Sequence, residues 1–186
     1  MAETARAGLI SVVGGESTGK STLAAALGQR LGGIVVSEVL RAWVDQHQGR
    51  VPQPHEQAEV MSAHRESEVA ALRRADCTAS RWVISDSGPL MTAVYSLQYY
   101  NDSSLLPTAL EWTAHSDAVV WCQDDFPWQP DPQRDGSQAR TTTQRILSAI
   151  FAEHPALPVR VVHGSLEERI AAVETSVERA IEGEPR

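Results

Sequence analysis

One segment of the chain, lying between an apolar run and a helix-forming run, constrains the fold more than any other. Residues 14–21 read Gly-Gly-Glu-Ser-Thr-Gly-Lys-Ser, which is the P-loop pattern of glycine, four residues, Gly-Lys, then Ser or Thr. The apolar residues 9–13 before it predict a buried strand, and the alanine- and leucine-rich residues 22–27 after it predict a helix. Glycines let backbone N–H groups approach phosphate oxygens, and a helix N-terminus attracts the same anion. The order strand, loop, helix therefore predicts a phosphate-binding site.

The residue types in this loop suit a nucleotide that binds with Mg²⁺. We expect Lys20 to reach the β- and γ-phosphates and the Ser21 hydroxyl to hold Mg²⁺. Lys20 is the only lysine among the 16 basic residues of the chain, and it stands where a compact ammonium group is needed. The residues predicted to bind the nucleotide are Gly14, Gly15, Glu16, Ser17, Thr18, Gly19, Lys20, Ser21 and Thr22.

The rest of the chain alternates short apolar runs with helical patterns. The apolar runs predict strands at residues 8–13, 34–36, 82–84, 118–122 and 159–162. The helical patterns fall at residues 19–31, 39–48, 55–75, 141–153 and 165–182. Two further helical patterns lie between the third and fourth strands, one beginning at about residue 89 and the other ending at about residue 115. Alternating strands and helices form a parallel sheet with helices on both faces. We therefore predict one α/β domain over residues 1–186, a P-loop NTPase fold with a five-stranded parallel sheet.

The composition is that of a soluble globular protein, with 42% hydrophobic residues, 22% charged residues and a net charge of −8. This acidic balance does not favour binding to a nucleic-acid backbone or an anionic membrane surface. No stretch approaches the roughly 18 apolar residues of a membrane span, and the first residues lack the apolar region of a signal peptide. Cys77 and Cys122 form no metal or redox motif, so we expect a cytoplasmic protein.

Ligands of parallel sheets bind at the carboxyl ends of the strands, and two acidic residues stand at such ends. Asp86 ends the third strand, where a second P-loop acid would bind Mg²⁺; alternatively, it caps the helix that follows. Glu38 follows the second strand and could take the proton from an attacking hydroxyl, or could be a solvated carboxylate. Arg41, one helical turn later, is either an ion-pair partner that orients Glu38 at the substrate or an ordinary surface arginine.

The polar, proline-rich residues 123–140 form the longest irregular segment of the pattern. Such segments in compact domains are often active-site lids, so we predict a lid here. Arg134 and Arg140 would place positive charge on the transferring phosphoryl group. Trp128 would stack on a planar ring or anchor the loop, and it is grouped with Asp131 as a substrate-binding candidate.

Taken together, these motifs resemble the NadR-type ribosylnicotinamide kinase domain and the stand-alone ATP-binding proteins related to it. The resemblance covers nearly the whole chain. The matching positions are the P-loop at 14–22, Glu38, Arg41, Gln57, residues 84–87 through Thr92, Trp128, Asp131, Arg134 and Arg140. The P-loop is common to many families, whereas Glu-x-x-Arg combined with the tryptophan, aspartate and arginine of the lid is more specific.

The resemblance implies a fold related to nucleoside and nucleotide kinases. It also implies phosphorylation of the ribose 5′-hydroxyl of nicotinamide riboside by ATP and Mg²⁺, giving nicotinamide mononucleotide, a step of NAD biosynthesis. The adenylyltransferase and DNA-binding parts of the regulator have no counterpart here, which favours a stand-alone kinase with a small-molecule partner. The alternatives are a kinase of another nucleoside or nucleotide, and a P-loop ATPase that acts as a regulatory switch.

One position departs from the family pattern. Gly88 stands where the family carries the second acid of an Asp-x-Asp motif, an acid expected to touch the substrate. If a different nucleoside is the preferred acceptor, we expect Gly88→Asp to shift the preference towards the riboside.

Overall fold

The elements of the structure follow the predicted alternation of strands and helices. The computed structural model describes residues 6–78, 80–125 and 136–182, with only the backbone described at 136, 137 and 178–182. The strands are β1 (Gly8–Val13), β2 (Ile34–Val36), β3 (Trp82–Asp86), β4 (Ala118–Cys122) and β5 (Val159–Val162). The helices are α1 (Lys20–Leu31), α2 (Val39–Gln46), α3 (Gln57–Asp76), α4 (Gly88–Tyr100), α5 (Leu106–Thr113), α6 (Gly136–Glu153) and α7 (Leu166–Glu182). A 3₁₀ turn, Pro54–Glu56, leads into α3.

The five strands form one parallel sheet in the order β2-β3-β1-β4-β5, which confirms the predicted fold class. Strand β1 is central, with β3 on one side and β4 on the other. The register places Val12 beside Asp86 of β3 and Val13 beside Trp121 of β4. The carboxyl ends of three neighbouring strands therefore meet where the P-loop leaves β1.

Apolar side chains on both faces of the sheet hold the helices in place. On one face, Ile10 packs in a buried cluster with Leu23 of α1 and Val173 of α7. On the other face, Val13 packs with Met91 of α4 and with α6. Burial of each such side chain stabilises the fold by about 1.5–3 kcal/mol, so the two ends of the P-loop are fixed to a rigid core.

Helix α6 begins at Gly136, whereas the sequence predicts a helix only from residue 141. The last five residues of the predicted irregular segment 123–140 are therefore helical, and residues 126–135 lie outside the described part of the chain. The extra turn has no apolar periodicity that would reveal it. Tertiary contacts stabilise it instead, because Gln98 of α4 donates through Nε2 to Ala139 O at 3.3 Å and the backbone of Arg140 packs on the P-loop.

Among the described residues, the helices include none with the length and apolar character needed to cross a membrane.

Candidate active site

The P-loop forms a tight backbone turn between β1 and α1. Ser17 and Gly19 adopt φ values of 54° and 81°, in the left-handed region that turns successive N–H groups towards one concave side. The first turn of α1 follows directly, since Leu23 N donates to Gly19 O at 2.9 Å. The side chains of Ser21 and Thr22 are exposed on this turn. A helix N-terminus and a ring of amides therefore converge, as anion binding requires.

Lys20 is held inside this loop. Its Nζ donates to Gly15 O at 2.8 Å, and the side chain is 8% exposed. The Thr18 hydroxyl donates to the same carbonyl at 2.8 Å. An ammonium group has three donors, so this single bond leaves donors for phosphate oxygens. The carbonyl of Gly15 thus fixes the position of the one lysine in the chain.

Helix α6 packs directly against Gly15. A Cβ at this position would lie 3.0 Å from both Cγ and the backbone oxygen of Arg140, so a larger residue would require α6 to shift. The sequence predicts that Arg140 precedes the helix and approaches the phosphates when a lid closes. The structure corrects the first expectation, because Arg140 lies within α6 and its backbone contacts Gly15; the second stays a prediction.

Asp86 lies at the carboxyl end of β3, beside Val12, and is 6% exposed. Its alternative role as the helix cap is wrong, because the N-cap residue of α4 is Ser87, which forms no side-chain cap hydrogen bond with the described residues. Within the described residues, Asp86 Oδ1 is buried with no hydrogen-bond partner. A buried, unpaired carboxylate oxygen is costly, and it is the kind of ligand that Mg²⁺ takes.

Glu38 and Arg41 form a pair at the start of α2. Glu38 Oε2 lies 3.7 Å from Arg41 Nε, with side-chain exposures of 16% and 52%. A pair this long and this exposed contributes little to stability. None of the residues of α2 is fully buried, so the helix presents Glu38 and Arg41 at the rim of the site rather than inside it.

Tyr95 of α4 marks where the carboxylates of the site converge. The side chain is buried, and burial raises its pKa well above the ordinary value, with further raising by the negative charges of Glu38, Glu16 and Asp86. These three carboxylates come from the loop after β2, the P-loop and β3. The sequence did not single out Tyr95, since α4 is apolar nearly all round and gives no sign of which side chain faces the site.

Sequence reasoning also missed Arg169, a 1% exposed arginine on α7. Its guanidinium donates to Thr18 O at 2.7 Å, to Gln123 O at 3.2 Å and to the carboxylate of Asp125. It therefore ties the P-loop to the segment that follows β4. Its position in an amphipathic helix rich in glutamate is typical of a surface arginine, so no local signal predicted its burial.

Gly88 begins α4, two residues after Asp86 ends β3. Its φ is 56°, and a Cβ there would lie 3.7 to 3.8 Å from Glu68 Oε1, Ser11 Oγ and Ser85 Oγ. Glu68 and Ser85 are hydrogen-bonded to each other in a buried polar network with His64. A side chain at 88 would point towards that network. The expected effect of Gly88→Asp on acceptor preference stays a prediction.

Of the predicted lid residues, Trp128, Asp131 and Arg134 lie outside the described residues. Of the remaining candidates, Asp86 lies beside the strand that leads into the P-loop, and Lys20 is bound within that loop. Glu38 and Arg41 lie at the rim of the site.

Comparisons with known proteins agree with this architecture. A family model described as an AAA domain matches residues 9–169. A search of curated protein sequences finds no match.

Among solved structures, a NadR protein in complex with NR is 19% identical, with a TM-score of 0.73, over 94% of this chain and 51% of that one. The chain thus spans about half the length of that NadR protein. Deoxyadenosine kinase from M. mycoides is 15% identical with a TM-score of 0.63, over 91% of this chain and 98% of that one. Thymidylate kinase from Candida albicans is 13% identical with a TM-score of 0.67, over 93% of this chain and 92% of that one. The resemblance to the NadR-type domain is confirmed at the level of the fold, which is a P-loop fold shared with nucleoside and nucleotide kinases.

Proposed function

The chain belongs to the AAA domain family, and on that premise we propose that it is an ATP- and Mg²⁺-dependent phosphotransferase acting on a nucleoside-like alcohol. The observation that carries the proposal is the pairing of a confined lysine with an unpaired carboxylate. Lys20 is bound to Gly15 O inside the loop, while Asp86, on the neighbouring strand, keeps a buried oxygen without a partner among the described residues. One group suits phosphate oxygens and the other suits a cation.

The residues at the loop fit Mg²⁺. The exposed Ser21 hydroxyl and the Asp86 carboxylate are oxygen ligands of the type the ion prefers. When bound, Mg²⁺ neutralises negative charge that develops on the phosphates. Lys20 binds and orients the phosphoryl group that is transferred, and helix α1 directs its N-terminus towards the same charge.

On the acceptor side, Glu38 is the candidate general base. It would hold the proton of the attacking hydroxyl at its carboxylate, with Arg41 limiting its movement. Nicotinamide riboside is our first acceptor because the motifs of the chain resemble those of the NadR-type kinase domain. The structural likeness to NadR in complex with NR supports the same choice.

The lid belongs to the same proposal. Residues 123–140 would cover the nucleotide, with Arg134 and Arg140 adding positive charge and with Trp128 and Asp131 contacting substrate. Arg140 is the anchored member, because its backbone contacts Gly15. The single kinase domain over residues 1–186 is likewise part of the proposal.

A kinase of another nucleoside or nucleotide is the second candidate. It is supported by the structural likeness to deoxyadenosine kinase and thymidylate kinase, with TM-scores of 0.63 and 0.67.

The deciding experiment measures ADP release from Mg-ATP with a panel of acceptors, and the mass of each product. We expect nicotinamide riboside to accelerate ADP release and to gain one phosphate. Acceleration by a different nucleoside or a nucleotide selects the second candidate. Slow ADP release that no acceptor changes would favour the regulatory ATPase and refute the kinase.

A further inference from the structure

Helix α6 contains a buried amide side chain whose polar atoms are all engaged at the base of the P-loop. Gln144 is 8% exposed. Its Oε1 accepts from Gly15 N at 3.3 Å and from Trp121 Nε1 at 2.8 Å, and its Nε2 donates to Cys122 O at 2.9 Å. The two donors and the one acceptor fix which end of the amide is oxygen. Gln144 therefore joins α6, the end of β4 and the P-loop through one rigid group.

The contact with Gly15 N matters because the carbonyl group of the same residue binds Lys20. Gly15 N is bonded to Gln144, while Gly15 O accepts from Lys20 Nζ and from the Thr18 hydroxyl, each at 2.8 Å. Gly15 also faces α6 closely, since a Cβ built on it would lie 3.0 Å from Cγ and the backbone oxygen of Arg140. A displacement of Gly15 would move the carbonyl that holds the lysine.

We propose that Gln144 is a positioning residue, which fixes Gly15 and through it the ammonium group of Lys20. The effect of Gln144 on the reaction rate rests on the proposed phosphotransferase function, whereas its effect on the position of Lys20 does not. Gln144 touches no reacting atom. It gives α6, the helix that follows the predicted lid, a direct connection to the phosphate-binding lysine.

The chain offers a matched control on the same helix. Thr143 is 1% exposed, and its hydroxyl donates to Gln98 Oε1 at 2.7 Å. Thr143→Val removes a buried hydrogen bond of α6 without touching the P-loop. Gln144→Met removes the bonds of the amide while keeping a side chain of similar length. Both variants lose buried hydrogen bonds, so a loss of stability alone does not distinguish them.

The first measurement uses the composition of the chain. Lys20 is the only lysine, so protein labelled with ¹³C at lysine Cε, in a chain whose tag adds no lysine, gives a single side-chain NMR signal. We expect Gln144→Met to shift or broaden this signal in the folded protein, and Thr143→Val to leave it unchanged. An identical Lys20 signal in wild type and Gln144→Met would overturn the inference.

The second measurement is the kcat and the KM for ATP with the best acceptor. Misplacement of a catalytic group by a fraction of an ångström to 1 Å costs about 10-fold to 10²-fold in rate. We expect Gln144→Met to lower kcat in that range with a smaller change in KM, and Thr143→Val to stay near wild type. Equal kcat values in the two variants would also overturn the inference. If wild type transfers no phosphate to any acceptor, the proposed function fails, and the Lys20 signal still decides the role of Gln144.

Discussion

Replacing His64 by glutamine tests how the interior beneath Asp86 is stabilised. His64 lies on α3, is 2% exposed, and has Nε2 at 2.9 Å from Ser85 Oγ. The Ser85 hydroxyl donates its only proton to Glu68 Oε1 at 2.7 Å, so the imidazole must be the donor to Ser85. A glutamine amide can donate from nearly the same place. His64→Gln therefore removes the ionisable imidazole while keeping the hydrogen bond to Ser85.

The magnitude follows from the pKa. Burial lowers the pKa of His64 from 6.5 to about 4. The unfolded chain therefore binds the proton more tightly than the folded one. The contribution of His64 to stability is fully present above pH 6.5 and is lost as the pH falls towards 4. The difference of about 2.5 between the two pKa values corresponds to about 3 kcal/mol. About 2 kcal/mol of this loss develops between pH 7 and pH 4.5.

Glu68 acts in the opposite direction. Burial raises its pKa, against the lowering effect of its hydrogen bonds with Ser85 and Arg65. A carboxyl with a raised folded-state pKa loses stability as the pH rises above its unfolded value of about 4.5. Glu68 is present in both proteins, so its contribution largely cancels when wild type is compared with His64→Gln.

The assay is urea unfolding at pH 7 and pH 4.5. We compare the difference in free energy of unfolding between wild type and His64→Gln at the two pH values. We expect this difference, wild type minus variant, to be about 2 kcal/mol smaller at pH 4.5 than at pH 7. His154, which is exposed, provides the control His154→Gln for the loss of one imidazole. A difference between wild type and His64→Gln that is the same at both pH values would show that burial does not control the ionisation of His64.

Three further predictions concern the site. Lys20→Ala should lower turnover by about 10²–10³-fold while circular dichroism shows a folded protein; near-normal turnover would refute the phosphate role. Asp86→Asn should weaken Mg²⁺-dependent ATP binding in calorimetry, whereas Glu38→Gln should spare it and lower the acceptor-dependent rate by about 10²–10⁴-fold; equal loss of ATP binding would contradict this division. Gly88→Asp should destabilise the fold by about 1–3 kcal/mol, because of its positive φ and the adjacent Glu68. A shift in acceptor preference at unchanged melting temperature would support the sequence-based expectation for position 88.

The elements that the sequence predicted well are those whose signal is local. The P-loop is a continuous pattern between an apolar strand and a helix-forming run, so its position and the burial of β1 follow from neighbouring residues. The alternation of strands and helices predicts the parallel sheet for the same reason, and β1, β2, β4 and β5 have the predicted bounds. Asp86 and Glu38 could be proposed because the carboxyl ends of parallel strands share one edge of the sheet.

Helix α3 shows where local reasoning fails. Its buried side includes His64 and Glu68 alongside Val60 and Met61, and polar residues of these types are normally exposed. They are buried because Ser85 of β3, distant in sequence, accepts and donates the hydrogen bonds that burial requires. The direction of Gly88 towards this network has the same origin, since it depends on how α4 leaves β3.

The connections that fix the phosphate site also depend on distant partners. Gln144 meets Gly15 across 129 positions, and Arg169 meets Thr18 across 151. Each stands in a helix whose pattern is that of an ordinary amphipathic surface helix, and neither side chain has a neighbour in sequence that reveals its partner. The sequence by itself therefore determined which loop is the candidate phosphate site and which strands surround it. Only the tertiary structure decided how that loop is held, because buried polar groups are stabilised by hydrogen bonds that exist only once α6 and α7 have packed against the sheet.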